Sequence, residues 1–313
     1  MKKIFIMLVV MMIALSLFAG GKKEEVIVDA VKVEDLKIVS PAGAPALCLS
    51  TLAVENPDQY RFVVADTIAA EFAKNEADFL IAPLNAGANL YTKGKSTYKL
   101  AAVVSWGNLF FASQKENFKL EDINGAEITL FGENTINSSI ALFVLKENGI
   151  VPAKVNYLAG AANTQQLLLT NPAAVVLTAE PALTAAKTKK PSITGYSVNQ
   201  LYKAATGNDG FTQAGLFVKA DLITSSPNTV KSYLDMVKGS TDKCVSDVNA
   251  VAEAAVKLEL LPNLKVASSA IPNITVYYVP ALEAKAQIET TANIDIKQFG
   301  GSVPADDFYY GEK

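Results

Sequence analysis

The sequence contains no histidine, and it has only two cysteines, one arginine and one tryptophan among its 313 residues. Without histidine, a Ser-His-Asp triad, a Cys-His pair and a histidine metal site are all excluded. The two cysteines, Cys48 and Cys244, are too few for a cysteine-based zinc site. The sequence therefore predicts no catalytic residue, no metal site and no cofactor.

Positive charge is also sparse in the forms that bind nucleic acid. The net charge is −3, and Arg61 is the only arginine. A single arginine removes most options for bidentate phosphate recognition, so nucleic acid is not expected as a partner. The remaining composition, 50% hydrophobic and 19% charged, is typical of a globular protein. The length suggests two domains or lobes.

The N-terminus has the pattern of a secretory signal peptide. Lys2 and Lys3 precede an apolar run from Ile4 to Ala19, and charged residues follow from Lys22. The run is shorter than the ~20 residues that a spanning helix needs. Since position 20 is glycine, where a lipoprotein would have cysteine, we expect cleavage near Ala19, no lipid anchor and an exported, soluble chain. An uncleaved membrane anchor is the alternative.

Cys48 lies on a predicted helix among Leu47, Leu49 and Leu52. This position favours a small core residue, since free cysteine packs as a small apolar side chain. A disulfide with Cys244 would require an oxidising compartment, and the sequence leaves that pairing open.

Beyond the signal peptide, strands and helices alternate in two similar series. From Leu36 a strand–helix unit occurs three times, ending with the strand "ADFLIAP" and a helix that stops at Gly94. From Gly125 the same order occurs again, ending with "AAVVLTAEP" and another helix. Alternation of this kind predicts an α/β fold with mostly parallel sheets flanked by helices.

Two extended segments connect the series. Residues 98–115 have no helix signal, are long for one strand and read as an extended segment that crosses from one lobe to the other. Residues 212–223 read as a strand that returns. Residues 226–261 then read as helical, followed by a short strand and a helix. We therefore predict a signal peptide at 1–19, a linker at 20–34, lobe one at 35–107 plus 212–313, and lobe two at 108–211. The two crossings would form a hinge.

The carboxyl ends of the predicted strands carry small residues, prolines and uncharged polar residues. In open α/β sheets, ligands bind outside these ends. Small residues let a ligand approach the backbone, and helix N-termini present free N–H groups. We interpret Pro83 and Pro181 as the ends of buried strands at the two walls of one cleft.

Several segments, taken in their order along the chain, resemble the solute-binding proteins of ABC importers. The stretches that carry this resemblance are "ADFLIAPLNAGANLYTKG", "YKLAAVVSWGNLFFAS", "AVVLTAEPAL" and the tail "AIPNITVYYVPA" with "GGSVPADDFYY". The group it resembles captures nitrate, sulfonates, taurine and thiamine precursors. The resemblance covers most of the mature chain and implies a two-lobed periplasmic-binding-protein fold of the second type. It also implies a clamshell that closes on a small ligand and docks to a permease with its ATPase.

The resemblance places ligand contacts on the loops after the first strands of each lobe, on the residue after "FLIAP", on the first crossing and on "TAEP". The predicted ligand-binding residues are Ser40, Pro41, Ala42, Gly43, Ala44, Asn85, Trp106, Gly107, Gly132, Asn134, Thr135, Asn137 and Glu180.

Several of these residues have two interpretations. Trp106 either stacks on a planar ligand or braces the hinge. Glu180 either accepts hydrogen bonds from an amine or is a solvated residue at a helix start. Asn134, Thr135 and Asn137 either bind ligand or cap the next helix. The set contains no lysine or arginine, so the ligand is expected to be neutral or nitrogen-containing.

The sequence therefore predicts a monomeric, extracytoplasmic solute-binding protein that delivers a small organic ligand to an ABC importer, and not an enzyme. The alternatives are a small-molecule lyase that uses carboxylates alone, or a sensor that presents its ligand to a receptor.

Overall fold

The structure, a computed structural model, describes residues 29–311. The predicted signal peptide and residues 20–28 of the predicted linker lie outside the described residues. Within residues 29–311, no helix has both the length and the apolar character needed to cross a bilayer.

Strands and helices alternate along most of the described chain. The strands are β1 (Ile38–Pro41), β2 (Tyr60–Val63), β3 (Phe79–Pro83), β4 (Lys99–Ser105), β5 (Leu109–Ser113), β6 (Glu127–Phe131), β7 (Lys154–Leu158), β8 (Val175–Ala179), β9 (Thr194–Ser197), β10 (Ala214–Val218) and β11 (Val276–Pro280). The α-helices are α1 (Ser50–Glu55), α2 (Ile68–Lys74), α3 (Leu84–Thr92), α4 (Ile136–Glu147), α5 (Ala161–Thr170), α6 (Ala182–Lys189), α7 (Val198–Thr206), α8 (Ala220–Ser225), α9 (Pro227–Ser246), α10 (Val248–Lys257), α11 (Leu264–Ala270) and α12 (Lys285–Ile294).

The strands form two sheets. The six-stranded sheet has the order β11-β4-β10-β3-β1-β2, and the five-stranded sheet has the order β7-β6-β8-β5-β9. We call the first sheet and its helices lobe one, and the second sheet and its helices lobe two. This confirms the predicted α/β fold class with two sheets, while the residue boundaries of the lobes stay a prediction.

The sheets are mixed, although the repeated strand–helix units run parallel as expected. In lobe one, β1 pairs in parallel with β2 and β3, whereas β10 pairs antiparallel with β3 and β4. The returning chain enters beside the carboxyl end of β3, where Leu84 N–H donates to Gln213 O at 3.0 Å. From that end β10 must run back along β3, so its pairing is antiparallel.

Lobe two follows the same plan. Strand β6 pairs in parallel with β7 and β8, and β5 lies antiparallel between β8 and β9. The crossing strand β5 arrives beside the carboxyl end of β8, because Glu180 N–H donates to Asn108 O at 2.9 Å. In lobe one, the edge strand β11 also pairs antiparallel, with β4. Each lobe therefore has an antiparallel strand, β10 or β5, that lies directly beside a connection between the lobes.

One hydrophobic cluster runs through both lobes. It contains Leu80 and Val103 of lobe one, Leu130 and Leu177 of lobe two, and Trp106 in the connection between them. A second cluster fills the other face of the first sheet, where α9 and α10 pack. The continuous cluster makes the connection between the lobes a packed region.

Three expectations about secondary structure were wrong in part. The predicted strand at 212–223 ends at Val218, and helix α8 follows. The predicted helix at 226–261 breaks at Asp247, whose side chain accepts from Ala250 N–H at 3.1 Å and so caps α10. Helix α7 was not predicted, although "SVNQLYKAATG" has a cap signal and a terminal glycine.

Both cysteines are buried and free. Cys48 Sγ donates to Pro45 O at 3.3 Å, and Cys244 Sγ contacts Leu47 O at 3.8 Å. Burial raises the pKa of the Cys244 thiol to about 12 and raises that of Cys48 as well. The structure therefore has no disulfide between these two residues, the pairing that the sequence left open.

Candidate functional site

The first wall of the candidate cleft follows β1. Ser40 and Pro41 are buried, and Ser40 Oγ donates to Pro41 O at 3.0 Å. Ala42 is exposed, and Gly43 has a φ of +93° with no heavy atom within 4 Å of where a side chain would begin. Ala44 then starts a 3₁₀ helix that ends at Leu49. Ala42 N–H already donates to Val63 O at 2.9 Å, and Gly43 O accepts from Ala46 N–H at 3.0 Å. Within the described chain, the backbone groups of these two residues left for a ligand are Ala42 O and Gly43 N–H.

The second part of this wall is the start of α3. Pro83 ends β3 and is exposed, while Asn85 in the first turn of α3 is half-buried. Gly87 has a different role, because a Cβ at this position would lie 2.3 Å from Phe217 Cζ. The small residues after Pro83 therefore have two causes: close packing of α3 on β10 at Gly87, and open space at Asn85.

The opposite wall is the loop between β6 and α4 in lobe two. Gly132 has a φ of +70°, and Thr135 Oγ1 donates to its carbonyl at 2.7 Å. Thr135 is the N-cap residue of α4, and its N–H donates to Ser138 Oγ at 3.3 Å. The side chain of Thr135 thus closes the turn that leads into α4 and makes no cap hydrogen bond to an N–H of that helix.

The two asparagines of this loop are more available. Asn134 is exposed, has a φ of +57°, and its carbonyl accepts from Gln298 Nε2 at 2.7 Å. Asn137 is half-buried, and within residues 29–311 its Oδ1 has no hydrogen-bond partner. Buried amide oxygens are nearly always paired, so Asn137 offers an unused acceptor.

Glu180 lies between β8 and α6 and is only 3% exposed. Thr184 donates to both of its carboxylate oxygens, from N–H at 3.0 Å and from Oγ1 at 2.9 Å. Asn273 Nδ2 of lobe one contacts Oε1 at 3.4 Å. Burial raises the pKa of this carboxyl, while the hydrogen bonds from Thr184, the charge of Lys187 and the contact with Asn273 act in the opposite direction. Glu180 therefore caps α6 from a buried position, not from the solvated helix start that was the alternative.

Trp106 lies in the first connection between the lobes and is 2% exposed. Its ring stacks on Tyr277, and its Nε1 donates to Tyr277 O at 3.0 Å. Gly107 follows with a φ of +101°, and a Cβ there would lie 2.4 Å from Asn199 Oδ1. The structure places both residues in the first connection between the lobes, between β4 and β5.

A polar chain that the sequence analysis missed joins the two connections. Gln213 N–H donates to Ser105 O at 2.9 Å, and Gln213 Nε2 donates to Asn108 Oδ1 at 3.0 Å. Asn108 Nδ2 in turn donates to Glu180 O at 2.9 Å. The only sequence signal was a polar side chain within each otherwise apolar connection.

The predicted residues thus form separate groups. Trp106, Gly107 and Glu180 are buried. The segments at 40–44, 85 and 132–137 lie at the carboxyl ends of β1, β3 and β6. Within residues 29–311, no hydrogen bond joins Pro41–Ala44 or Asn85 to Gly132–Asn137.

A cavity of about 520 Å³ lies where lobe two meets the C-terminal part of the chain. Asn134, Ser139 and Tyr157 line it from lobe two, and residues 293–298 line it from the other side. Apart from Asn134, these residues were not predicted, because nothing in "NIDIKQF" distinguishes it from an ordinary surface segment. A second groove of about 460 Å³ lies between α5, α6 and α11 and includes Pro181.

Comparisons with known proteins match the chain through its structure alone. No family model and no curated protein matches it. The chain is similar to a solved structure from Parabacteroides distasonis described as an ABC transporter, with 22% identity, a TM-score of 0.77, and coverage of 89% of this chain and 99% of that one.

Two further solved structures have the same fold. The periplasmic aliphatic sulphonate binding protein SsuA from Escherichia coli matches with 13% identity, a TM-score of 0.68, and coverage of 89% of this chain and 92% of that one. A Candida albicans protein described as having the generic periplasmic binding protein fold matches with 12% identity, a TM-score of 0.54, and coverage of 87% and 92%. These likenesses confirm the predicted fold.

Proposed function

We propose that this chain is an exported solute-binding protein that captures a small organic ligand between its lobes and delivers it to an ABC importer. The observation that carries the proposal is the pair of connections at the hinge. Gln213 at the start of the return bonds to Ser105 and Asn108, which flank the outward crossing. Two connections that lie side by side let two lobes rotate about one axis without unfolding either sheet.

The ligand-binding surface, in this proposal, is formed by the wall residues. Ala42 and Gly43 offer backbone, Asn85 offers an amide at the start of α3, and Asn134 and Asn137 offer amides opposite. The geometry of the hinge, which lies behind the wall residues, is set by Trp106, Gly107 and Glu180. The other predicted residues hold the two wall loops in place: Ser40, Pro41, Ala44, Gly132 and Thr135.

Charge narrows the class of ligand. No wall residue is lysine or arginine, whereas Glu133 in the lobe-two loop is exposed. Helix N-termini can still hold an anionic group. A ligand that is neutral overall, with at least one nitrogen, fits this balance better than a dianion does.

A binding role also agrees with the environment of the carboxylates. The carboxylate of Glu180 is buried, and both of its oxygens accept hydrogen bonds from Thr184. Within residues 29–311, no group of three or more Cys, Asp or Glu side chains could hold a metal ion. The solved relatives reported above include a binding protein and no enzyme by description.

Delivery requires an exported monomer that exchanges between open and closed forms. The signal peptide predicted at 1–19 supports export, and a permease with its ATPase is the proposed partner. Ligand would stabilise the closed form, which the permease would recognise, by population shift. We propose a monomer because no second subunit then restricts the movement of the lobes.

The experiment that tests the proposal is native mass spectrometry of residues 20–313 purified from an exporting host. A discrete adduct that disappears on denaturation is expected, and its mass identifies the ligand. Incubation of that ligand with the protein should leave it chemically unchanged. Turnover of the ligand would support the lyase alternative, and the repeated absence of any adduct, together with no binding of added solutes, would contradict capture.

A further inference from the structure

The cavity at the C-terminal segment joins the two lobes. Residues 293–298 are held on lobe one because Asn89 Nδ2 of α3 donates to Lys297 O at 3.4 Å and to Gln298 O at 3.3 Å. The same segment reaches lobe two, since Gln298 Nε2 donates to Asn134 O and Ser139 Oγ donates to Asp295 Oδ2, both at 2.7 Å. The cavity therefore adjoins Asn134 and spans the region that would change when the lobes move.

Two charged residues of opposite sign lie on the C-terminal side of this cavity. Asp295 is half-buried and Lys297 is exposed, and both line the cavity. Within residues 29–311, neither forms an ion pair. Asp295 accepts one hydrogen bond, from the neutral hydroxyl of Ser139. A carboxylate has about four acceptor positions, so most of its capacity is unused.

The remaining lining is suited to a small organic molecule. Tyr157 contributes a half-buried ring whose hydroxyl has no hydrogen-bond partner within residues 29–311. An aromatic ring and a carboxylate that line one cavity are a favourable environment for an ammonium group. Leu142 and Ile294 contribute apolar surface. The cavity volume of about 520 Å³ lies within the range of small-molecule sites.

We propose that this cavity binds the two charged ends of a small zwitterionic solute, with the ammonium group on Asp295 and Tyr157 and the acidic group on Lys297. The inference rests on the proposed function. It adds to the wall residues a cavity that includes Asn134 and takes the charged ends of the same ligand, and so gives that ligand a chemical class. A zwitterion is neutral overall, which agrees with the charge of the cleft walls. It also satisfies two opposite charges that the protein leaves without ion pairs, which a neutral or singly charged solute cannot do.

The test measures binding of matched probes by calorimetry. The zwitterionic probes are glycine, β-alanine, 4-aminobutanoate and 2-aminoethanesulfonate, which vary the spacing between the charges. The singly charged probes are propylamine and propanoate. We expect at least one zwitterion to bind the wild-type protein, and each singly charged probe to bind about tenfold or more weakly, because each loses one charge-assisted contact.

Isosteric variants then assign the contacts. Asp295→Asn keeps an acceptor for Ser139 but removes the charge, and Lys297→Gln removes the other charge. Each is expected to weaken the best zwitterion about tenfold or more. The matched controls are Asp221→Asn and Lys231→Gln, which change exposed residues of α8 and α9. Both controls should bind as the wild type does.

The result that overturns the inference is equal binding of the best zwitterion by wild type and by both cavity variants. Binding of a singly charged probe as tightly as the zwitterion also overturns it, as does failure of every zwitterion to bind. In each of these cases, a native adduct of another chemical class would leave the proposed function standing. Only the absence of any captured solute would contradict both this inference and the proposed function.

Discussion

The indole of Trp106 lies flat on the ring of Tyr277, with ring centroids 4.8 Å apart and planes 2° from parallel. Its Nε1 also donates to the carbonyl of the residue on which it stacks, at 3.0 Å. Stack and hydrogen bond together fix the first connection between the lobes to β11, which lies at the edge of the sheet in lobe one. A tryptophan held in this way is part of the hinge's rigid frame.

The first prediction uses the fact that Trp106 is the only tryptophan. Because it is 2% exposed, native fluorescence should have the blue-shifted maximum of a buried indole and resist quenching by acrylamide. Trp106→Ala should lower the free energy of unfolding by about 3–5 kcal/mol, and Trp106→Phe by less, since a stacked ring remains. Urea unfolding followed by circular dichroism measures both. Strong quenching in the native state would show that the indole faces a wet cleft, as the ligand-stacking interpretation requires.

The second prediction compares two glycines with similar φ angles. Gly107 and Gly43 have φ values of +101° and +93°, a region that costs other residues about 1–3 kcal/mol. A Cβ at Gly107 would also lie 2.4 Å from Asn199 Oδ1, whereas space at Gly43 is open. Gly107→Ala should therefore destabilise the protein more than Gly43→Ala does. Chemical denaturation of both variants gives the difference, and equal losses would show that the side chain of Asn199 moves away without cost.

The fold could be predicted from the sequence because its signals are local and repeated. The strands "ADFLIAP" and "AAVVLTAEP" both have an apolar run followed by proline. The helices after them end at Thr92, two residues before Gly94, and at Lys189. The antiparallel pairing of β10 could not be predicted in this way. It depends on where the returning chain enters the sheet, and that is fixed by the contact of Gln213 with Leu84, not by any local pattern.

The candidate site was predictable only at the level of loops. The sequence placed Asn85 and Asn134 at strand ends, but it could not show that Gly87 serves packing against Phe217. It also gave no sign that Asp295 would lie beside Ser139, because the two are brought together only by tertiary folding. Polar residues in a distant surface segment have no local feature that marks them as neighbours of a cleft.

The third prediction concerns the thiols. Cys48 and Cys244 are free and buried, and burial raises the pKa of both, so neither should form thiolate near neutral pH. A thiol reagent should label neither residue in the native protein and both after unfolding without reductant. Mass spectrometry counts the labels. Unfolded protein that takes no label would show that a disulfide forms during export.

The last prediction follows from the carboxyl of Glu180. Burial raises its pKa above the ordinary value of 4.5, so the folded protein retains this proton at pH values where the unfolded chain has lost it. Ionisation of Glu180 therefore costs stability, and its contribution to the free energy of unfolding falls as the pH rises from 4.5 through the raised value. Glu180→Gln stays neutral and lacks this change.

The stability of wild type relative to Glu180→Gln should accordingly decrease across that pH window and become constant above it, as measured by urea unfolding at a series of pH values. Thr184→Val provides the matched comparison. It removes the hydroxyl that donates to Glu180 Oε1 at 2.9 Å and favours the ionised form. The decrease should become larger in that background, because the folded pKa moves further from the unfolded one. A relative stability that instead rises with pH would mean that hydrogen bonds and Lys187 outweigh burial, so that Glu180 acts as a stabilising, ionised cap of α6.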